Sequence, residues 1–442
     1  MEQTIQAPQG RLAVLMPGLG AVATTLIAGV AAVRRQLAEP VGSLTQMGRM
    51  PGPDGAPVRI ADVVPLPGLD QLVFGGWDIY PDNVYEAARK AAVLEPAQLQ
   101  AVRVELERIR PMAAVFDPAF VPNLHGSHAK DVRGKAAQAR ALMDDIRGFM
   151  EANGCERAVM VWCASTEVYT QPSMVHQDIE AFEEGLENDD PAIAPSMIYA
   201  YAAIRCRVPF VNGAPNLACD VPALVQLADR CGVPIAGKDF KTGQTLMKTI
   251  LAPGLQARAL GINGWFSSNI LGNRDGYVLD NPDNFRTKEV SKLGVLDDIL
   301  RPDLNPDLYG DMHHQVRINY YPPHGDNKES WDNIDIFGWL GYRMQIKINF
   351  LCRDSILAAP IALDLALLSD LASRAGMSGV QEWLSFYFKS PQVEGGGRPE
   401  HDVFRQLARL HQALRAIGEL KHARKPDQDA DAVVPVPAAA AH

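Results

Sequence analysis

The stretch RLAVLMPGLGAVATTLIAGVAAVRR, residues 11–35, decides the fold of this 442-residue chain. Residues 11–16 form a compact apolar run, which is typical of a central strand in a parallel sheet. Residues 18–23 read GLGAVA and match the pattern G-x-G-x-x-A, and residues 24–35 have the composition of a helix. A strand, a glycine turn and a helix in this order predict a unit that binds a dinucleotide.

The glycine turn is suited to a diphosphate, because glycine lets the backbone approach it and a helix N-terminus supplies amides and partial positive charge. A tight turn in an unrelated α/β domain is the alternative. No acid closes a plausible second strand near residues 42–46, where the ribose-binding carboxylate usually lies. Asp78 is therefore the candidate for the ribose-binding carboxylate. The alternative is that Asp78 only stabilises a turn or caps a helix. The candidate cofactor contacts in the turn are Gly18, Gly20, Ala21 and Val22.

The composition is that of an ordinary globular protein, with 47% hydrophobic and 21% charged residues. The formal net charge of -10 argues against nucleic acid as the main partner. Six cysteines without a C-x-x-C pair favour reduced thiols in a cytoplasmic enzyme. Residues 12–33 carry no charge, but the Pro-Gly-Leu-Gly segment at 17–20 divides them into a strand and a helix. We therefore expect no membrane span.

The rest of the chain predicts a two-part architecture. Strand-like runs at 157–163, 208–211 and 233–236 each end in small or polar residues. Helical patterns at 86–110 and 134–151 lie between the strand at 11–16 and the first of these runs, and one at 224–231 lies between the last two. This alternation predicts an α/β protein with a Rossmann-like, doubly wound parallel sheet. Beyond residue 246, alternating segments at 316–320 and 342–350 predict an inserted α+β domain, and helices at 355–375 and 405–420 then return to the first domain. The predicted units are a cofactor-binding domain at 1–245, an inserted domain at 246–354, C-terminal helices at 355–424 and a disordered tail at 425–442.

Several polar blocks carry candidate chemistry. Residues 241–245, KTGQT, follow a strand and open a helix, which suits a phosphate, although Thr242 acting only as an N-cap is the alternative. Lys288 and Lys292 lie on one helical face, where a solvated charged face is the alternative. Lys389 follows two aromatic residues, and desolvation or a neighbouring lysine would lower its pKa toward values useful for proton transfer. The pair His313 and His314 is not expected to bind one metal ion, because adjacent strand residues point to opposite faces.

Together these blocks resemble the inositol-3-phosphate synthase family over residues 11–391. The segments that carry the resemblance are GGWDI (75–79), STE (165–167), NGAP (212–215), KDFKTGQT (238–245), SSNILGNRDG (267–276), FRTKEVSK (285–292), GDNK (325–328) and DSILAAP (354–360). The resemblance implies NAD as a cofactor that is not consumed. It also implies glucose 6-phosphate as the substrate, a myo-inositol phosphate as the product, and a cytoplasmic homotetramer built by the catalytic inserted domain.

The resemblance also assigns roles to residues. Lys288 matches the lysine at the hydroxyl that is oxidised, so it is the first choice for proton shuttle. The implied catalytic residues are Lys288, Lys292, Lys328, Lys389, Asp239 and Asp354. The implied phosphate contacts are Thr242, Gly243, Gln244, Thr245, Lys292 and Lys328. The implied cofactor contacts beyond the glycine turn are Asp78, Ile79, Ser165, Thr166, Gly213, Asp239, Asn269, Asp275, Asp326, Asp354 and Ser355.

The chain also departs from the family pattern. Its glycine loop is shorter than in many members, and Lys238 and Arg274 add positive charge where acidic and Asn residues are common. These changes bear on whether a monovalent or divalent cation is required. Two other functions remain open from the residues alone: an NAD-dependent dehydrogenase of a phosphorylated sugar and a non-catalytic nucleotide-binding regulator.

Overall fold

The computed structural model describes residues 4–5 and 7–422, without the side chains of residues 4, 289–293, 421 and 422. The predicted tail at 425–442 lies outside these residues. A seven-stranded parallel sheet forms the centre of the chain. In spatial order its strands are Gly379–Val380, Pro234–Gly237, Phe210–Asn212, Cys155–Trp162, Arg11–Pro17, Leu72–Asp78 and Met112–Ala113.

Helices cover both faces of this central sheet, as a doubly wound fold requires. Successive side chains of a strand point to opposite faces, so Leu12, Val14 and Met16 enter one core while Ala13 and Leu15 enter the other. The first core includes residues of helices Ala21–Arg34, Val84–Ala91, Pro96–Glu107, Asp354–Arg374 and Val403–Gly418. The second includes residues of helices Lys135–Asn153, Ile179–Glu187, Pro195–Arg205 and Pro222–Cys231.

The chain order across the sheet reverses beside strand Arg11–Pro17. The chain first extends the sheet on one side through Leu72–Asp78, and then returns to pair Cys155–Trp162 on the other side. Ligands of open α/β sheets bind at such a reversal, beyond the carboxyl ends of the strands. The residues that follow Pro17, Asp78 and Trp162 therefore lie where a ligand is expected.

A second, four-stranded sheet holds strands His313–Tyr320, Gly261–Leu271, Asn327–Phe337 and Arg343–Arg353 in that spatial order. The first pair is parallel and the other two are antiparallel. Helices Gly243–Ala257 and Pro282–Leu300 share a core with this sheet, through residues such as Ala252, Trp265 and Leu296. This sheet agrees with the alternating patterns predicted after residue 246; the predicted domain boundaries themselves stay a prediction.

Short elements complete the described chain. Two-stranded sheets pair Thr4–Ile5 with Lys421–His422 and Arg49–Pro51 with Pro57–Arg59. The short α-helices are Leu44–Met47, Ile60–Val63, Arg274–Leu279 and Pro306–Tyr309. The 3-10 turns are Leu69–Gln71, Met174–His176, Pro322–His324, Trp339–Gly341, Glu382–Tyr387 and Glu394–Gly396.

Two expectations for the first domain were wrong. The helical pattern at 86–110 is two helices, because Ala92 adopts the left-handed conformation (φ 53°) and Pro96 starts a new helix. Residues near 42–46 do not form the second strand but include the short helix Leu44–Met47. The next strand of the central sheet along the chain is Leu72–Asp78, which pairs with Arg11–Pro17. The segment between these two strands is long, so the usual distance in sequence between neighbouring strands did not predict where the second one lies.

One helix in the described part of the chain, Asp354–Arg374, is long and apolar enough to span a membrane. Within its apolar window 78% of the residues are buried inside the protein, and Leu363, Leu367 and Leu371 belong to the first core. It is thus the central packing helix of that face. The uncharged run at 12–33 is divided into a strand and a helix, as expected.

Candidate active site

The glycine turn, residues 17–20, presents open backbone to a cavity. Gly20 caps helix Ala21–Arg34 without a side-chain hydrogen bond, and the first turn of that helix has no acidic residue. A Cβ at Gly20 would meet nothing within 4 Å, whereas a Cβ at Gly18 would lie 2.4 Å from Ala164 Cα. Gly18 also has φ 83°, which favours glycine. Free amides, a helix N-terminus and an open approach fit the diphosphate of a dinucleotide.

Asp78 lies at the end of the neighbouring strand, where a ribose-binding carboxylate is expected. Burial raises the pKa of Asp78, and hydrogen bonds from Tyr80, Leu19 and Ile79 together with the charge of Arg274 counteract this. The bond from Leu19 ties the carboxylate to the glycine turn. Asp78 caps no helix, but its Oδ1 accepts from the Tyr80 N–H at 3.0 Å, so the turn alternative stays open beside the predicted cofactor contact.

The cavity beside the glycine turn has a volume of about 230 Å³, is partly open to solvent, and gathers residues that are far apart in sequence. Many of the predicted site residues line it: Gly18, Gly20, Ala21, Val22, Asp78, Ile79, Ser165, Thr166, Gly213, Asp239, Thr242, Asp275, Lys288, Asp354, Ser355 and Lys389. The remaining described candidates lie behind this wall, in the phosphate loop and the second sheet. The sequence-based grouping of cofactor and catalytic residues at one place is therefore consistent with the geometry.

A buried lysine–carboxylate cluster occupies the inner end of the cavity. The Nζ atoms of Lys288 and Lys389 lie 2.9 and 3.1 Å from the same oxygen, Oδ1 of Asp239. The Nζ of Lys328 lies 3.2 Å from Asp354 Oδ2. Lys288 is only 7% exposed, so the alternative of a solvated charged face is wrong for this residue. Buried charges of this kind are retained only when they are paired.

Two of these lysines have opposite pKa shifts. Burial lowers the pKa of Lys389, Asp239 raises it, and the nearby Lys288 and Lys328 lower it further, to about 8. Burial also disfavours the charged form of Lys288, but Asp239, Asp275 and Asp354 outweigh this and raise its pKa. Lys389 can therefore lose a proton near neutral pH, while Lys288 remains an ammonium group.

The carboxylates of the cluster stay ionised. Asp239 is fully buried, which raises its pKa, but Lys288 and Lys389 reverse the shift and bring it to about 2. Burial also raises the pKa of Asp354, but the charges of Lys328 and Lys389 and the hydroxyl of Thr242 outweigh this effect and lower the pKa below its usual value. Asp239 adopts φ 64°, a strained conformation for a non-glycine residue that often marks a functional position.

The phosphate loop, residues 241–245, leads into helix Gly243–Ala257, with Thr242 at the N-cap position. Thr242 makes no side-chain cap bond there, so the alternative of a simple N-cap is wrong, and its hydroxyl instead favours the ionised form of Asp354 and so lowers the pKa of that carboxyl. The first helical residue lies beside the carboxylate that pairs with Lys328, since a Cβ at Gly243 would be 3.8 Å from Asp354 Oδ1. This arrangement is consistent with the predicted phosphate site.

Gln244 of this loop is held by protein groups. Its Oε1 accepts a bond of 2.7 Å from Asn269, and its Nε2 donates to Asp332 at 3.3 Å. Asp332 also accepts bonds from Trp265 and Ser267. The side chains of Gln244 and Asn269 thus shape the loop from behind. Sequence patterns did not single out Asp332, because an aspartate in an alternating strand has no local signature.

Asp326 supports the same wall of the site. Its Oδ1 accepts bonds of 3.0 Å from Asn273 and from Ser355, and its Oδ2 is buried without a partner among the described residues. Burial raises the pKa of this carboxyl, and the bonds from Asn273 and Ser355 counteract the shift. An unpaired carboxylate oxygen can receive a ligand, so Asp326 remains a candidate contact.

The helix Pro282–Leu300, which we call the lysine helix, is fastened to the loop that follows strand Cys155–Trp162. Asn284, one turn before Lys288, donates to the Thr166 carbonyl at 2.8 Å and to the Phe120 carbonyl at 3.1 Å. Thr287 donates to the Glu167 carbonyl at 3.0 Å. Sequence analysis missed these two residues; their spacing before Lys288 was the available signal.

Glu167 in turn anchors that loop. Its carboxylate accepts bonds from the backbone N–H and hydroxyl of Ser196, at 2.9 and 2.5 Å. Burial raises the pKa of Glu167 to about 7, against the effect of the bonds from Ser196. The loop therefore connects the cofactor cavity, where Ser165 and Thr166 lie, to the helix that carries Lys288.

Three further predictions concern Lys292, the pair His313 and His314, and a cation requirement. Lys292 lies in the lysine helix, but its side chain is outside the described part, so its role stays a prediction. His314 is 2.7 Å from Lys248 Nζ. The described residues contain no group of three His, Cys, Asp or Glu side chains placed to hold a metal. A cation requirement also stays a prediction.

The fold and the site define an α/β enzyme that binds a dinucleotide and carries a buried lysine–carboxylate cluster. Comparison with known protein families identifies the family to which this enzyme belongs. The sequence model of an NAD-binding family, described as myo-inositol-1-phosphate synthase, matches residues 12–415. The chain therefore belongs to the myo-inositol-1-phosphate synthase family and is an enzyme of the isomerase class.

Individual relatives agree with this assignment. An inositol-3-phosphate synthase from Bacteroides thetaiotaomicron is 57% identical over 422 residues, which cover 95% of this chain and 98% of that protein. An inositol-3-phosphate synthase from Spirodela polyrhiza is 35% identical, with 92% of this chain and 85% of that protein covered. The crystal structure of inositol-3-phosphate synthase from Caenorhabditis elegans superimposes with a TM-score of 0.87 at 28% identity, over 98% of this chain and 90% of that one.

Proposed function

We propose that the enzyme converts D-glucose 6-phosphate to 1D-myo-inositol 3-phosphate with NAD and no net redox change. The observation that carries this proposal is the convergence of Lys288, Lys328 and Lys389 on two carboxylates beside the cofactor cavity, those of the buried Asp239 and the half-buried Asp354. A sugar phosphate that is oxidised, enolised and cyclised needs cations at each developing oxyanion and one group that moves protons.

The phosphate of the substrate is placed at the N-terminus of helix Gly243–Ala257. The first backbone amides of an α-helix have no partner within the helix, Thr242 does not cap them with its side chain, and Thr245 lies in the same turn. The ammonium group of Lys328 adds a full positive charge beside Asp354. Anchoring the phosphate there directs the sugar chain toward Lys288 and Lys389, which is the orientation that an intramolecular aldol step needs.

Lys389 is the preferred proton carrier. The family resemblance put Lys288 first, but Lys389 has a pKa lowered to about 8, so a neutral amine is accessible near physiological pH. The amine accepts the proton of the carbon 5 hydroxyl as the hydride of carbon 5 departs. The ammonium of Lys288, whose pKa is raised, stabilises the resulting oxygen and the later enolate.

The later steps reuse the same groups. The carbon 5 carbonyl acidifies the protons of carbon 6. After Lys389 has passed its first proton to solvent, its amine accepts one of them, and the enolate attacks the carbon 1 aldehyde, whose oxygen takes that proton back. Asp239, bonded to both lysines, keeps them in place while the charge moves. NAD, when bound, accepts the hydride at the first step and returns it at the last, so no reduced cofactor accumulates.

One assay separates this function from its alternatives. The purified protein is incubated with glucose 6-phosphate and NAD, and both inositol phosphate and NADH are measured. Inositol phosphate without stoichiometric NADH is the expected result. Lasting NADH accumulation would instead establish a sugar-phosphate dehydrogenase, and binding of NAD without turnover would establish a nucleotide-binding regulator.

We infer a homotetramer assembled through the second sheet. Arg343–Arg353 is an edge strand of that sheet, and Met344 and Leu351 on it are exposed. The adjoining Trp339 and Leu340 are 86% and 80% exposed. An edge strand beside exposed apolar side chains supports burial against a second copy. Sedimentation should give a tetramer, and Trp339→Lys should weaken it. All six cysteines are free, which supports a cytoplasmic location.

A further inference from the structure

Arg274 is a positive side chain of the cofactor cavity that no carboxylate engages directly. Three cationic residues line the cavity, and two of them, Lys288 and Lys389, are bonded to Asp239. The guanidinium carbon of Arg274 lies instead 4.5 Å from the ring centroid of Tyr80. Among the described residues no ion pair involves Arg274, and its side chain is exposed. The guanidinium is therefore held by an aromatic ring while its donors stay available.

A chain of contacts places Arg274 on the side of the glycine turn. Asp78 accepts a hydrogen bond from the backbone of Leu19, inside the turn. The backbone N–H of Tyr80 donates to Asp78 Oδ1 at 3.0 Å. Arg274 stacks on Tyr80 and acts electrostatically on Asp78. The guanidinium thus lies near the part of the cavity where a nucleotide diphosphate would approach the backbone.

The glycine turn itself offers only backbone groups to an anion. The first helical residues are Ala21, Val22 and Ala23, and the cap residue is Gly20. A helix N-terminus supplies about half a positive charge, whereas a diphosphate carries more than one negative charge. A planar guanidinium with several fixed donors is the side chain best suited to complete such a site.

We propose that Arg274, supported by Tyr80, binds the diphosphate of the dinucleotide cofactor beside the glycine turn. The proposal rests on the proposed function only in taking NAD as the ligand of this cavity. It makes Arg274 a binding residue and gives it no part in proton transfer. The phosphate of the substrate is the other possible source of the same anionic group, and the experiment separates the two.

The test is a titration of NAD, ADP and adenosine in the absence of substrate, with wild type, Arg274→Gln and Arg274→Lys. We expect Arg274→Gln to weaken NAD and ADP binding about 10- to 100-fold, the range of a hydrogen bond to a charged group. Adenosine, which lacks the diphosphate, should bind both proteins equally. Arg274→Lys should recover part of the affinity, since it keeps the charge but loses the planar contact.

Tyr80 provides a matched pair of variants. Tyr80→Phe keeps the ring and should bind NAD as wild type does, while Tyr80→Leu should weaken NAD and ADP together. Unchanged NAD affinity in Arg274→Gln, or a raised KM for glucose 6-phosphate at saturating NAD with unchanged cofactor affinity, would overturn the proposal. Failure of the wild type to bind NAD would instead count against the proposed function. Melting temperatures identify any variant that has lost its fold.

Discussion

The two halves of the site are built in different ways. The glycine turn exposes the backbone of consecutive residues, 17–20, and its geometry is set by a strand and the helix that follows it. The lysine cluster is built from side chains of five separate segments, at positions 239, 288, 328, 354 and 389. The first half excludes a side chain at Gly18, and the second depends on paired charges. Mutations in the two halves should therefore fail differently.

The largest expected effect is on turnover, from the lysine cluster. Lys389→Met removes the amine but keeps an apolar stem of similar length, so product formation should fall about 10²- to 10⁴-fold, the usual worth of a general acid–base group. NAD affinity should be retained. Single-turnover formation of inositol phosphate and an NAD titration measure the two quantities. Lys389→Arg is the matched variant, since a guanidinium keeps the charge but does not lose its proton. Substantial turnover by Lys389→Arg would show that only the charge matters.

The next effect should fall on cofactor binding, from the glycine turn. Gly18→Ala puts a Cβ 2.4 Å from Ala164 Cα at φ 83°, and we expect a loss of about 1–3 kcal/mol of stability with weakened NAD binding. Gly29→Ala is the control, because a Cβ there meets nothing within 4 Å, and alanine favours the helix by about 0.5–1 kcal/mol. Thermal melts and NAD titrations measure the two effects. Equal stability and equal NAD affinity of the two variants would contradict the prediction.

A smaller effect should appear in the pH dependence. The base form of Lys389 is the neutral amine, so kcat/KM should rise with pH through about 8 and level off above it. Asp239 raises this pKa, and Asp239→Asn should therefore move the rise to lower pH as well as slow the reaction. A pH series of initial rates tests both statements. If kcat/KM did not change with pH, or if its rise moved to higher pH in Asp239→Asn, Lys389 would not be the general base.

The smallest effect should come from the contact that joins the two halves. Thr287→Val keeps the shape of the side chain but removes the hydroxyl that bonds the Glu167 carbonyl. Loss of one such bond is worth about 0.5–1.5 kcal/mol, and kcat should fall by a few-fold to about tenfold. Thr287→Ser keeps the hydroxyl and should remain close to wild type. In a Lys288→Ala background, Thr287→Val should have no further effect on the residual rate. An additive loss there would assign Thr287 a role that does not act through Lys288.

The sequence alone determined the local units of this protein. The strand, glycine turn and helix of residues 11–35 were predictable because their geometry depends on neighbouring residues and on hydrophobic period. The phosphate loop and the spacing of Lys288 and Lys292 were recognisable for the same reason, and the family resemblance added the distant lysines. Local patterns did not reveal the strand Leu72–Asp78, which pairs with Arg11–Pro17 only across a long intervening segment.

Only the tertiary structure decided how the charges are shared. Lys288 and Lys389 lie about a hundred positions apart but share one oxygen of Asp239, and this crowding, with burial, gives them opposite pKa shifts. The support of the lysine helix by Thr166 and Glu167, and the contact of Arg274 with Tyr80, depend likewise on segments that meet only in the folded chain. The physical reason is that burial and electrostatic interactions depend on distance in space, to which sequence separation gives no direct access.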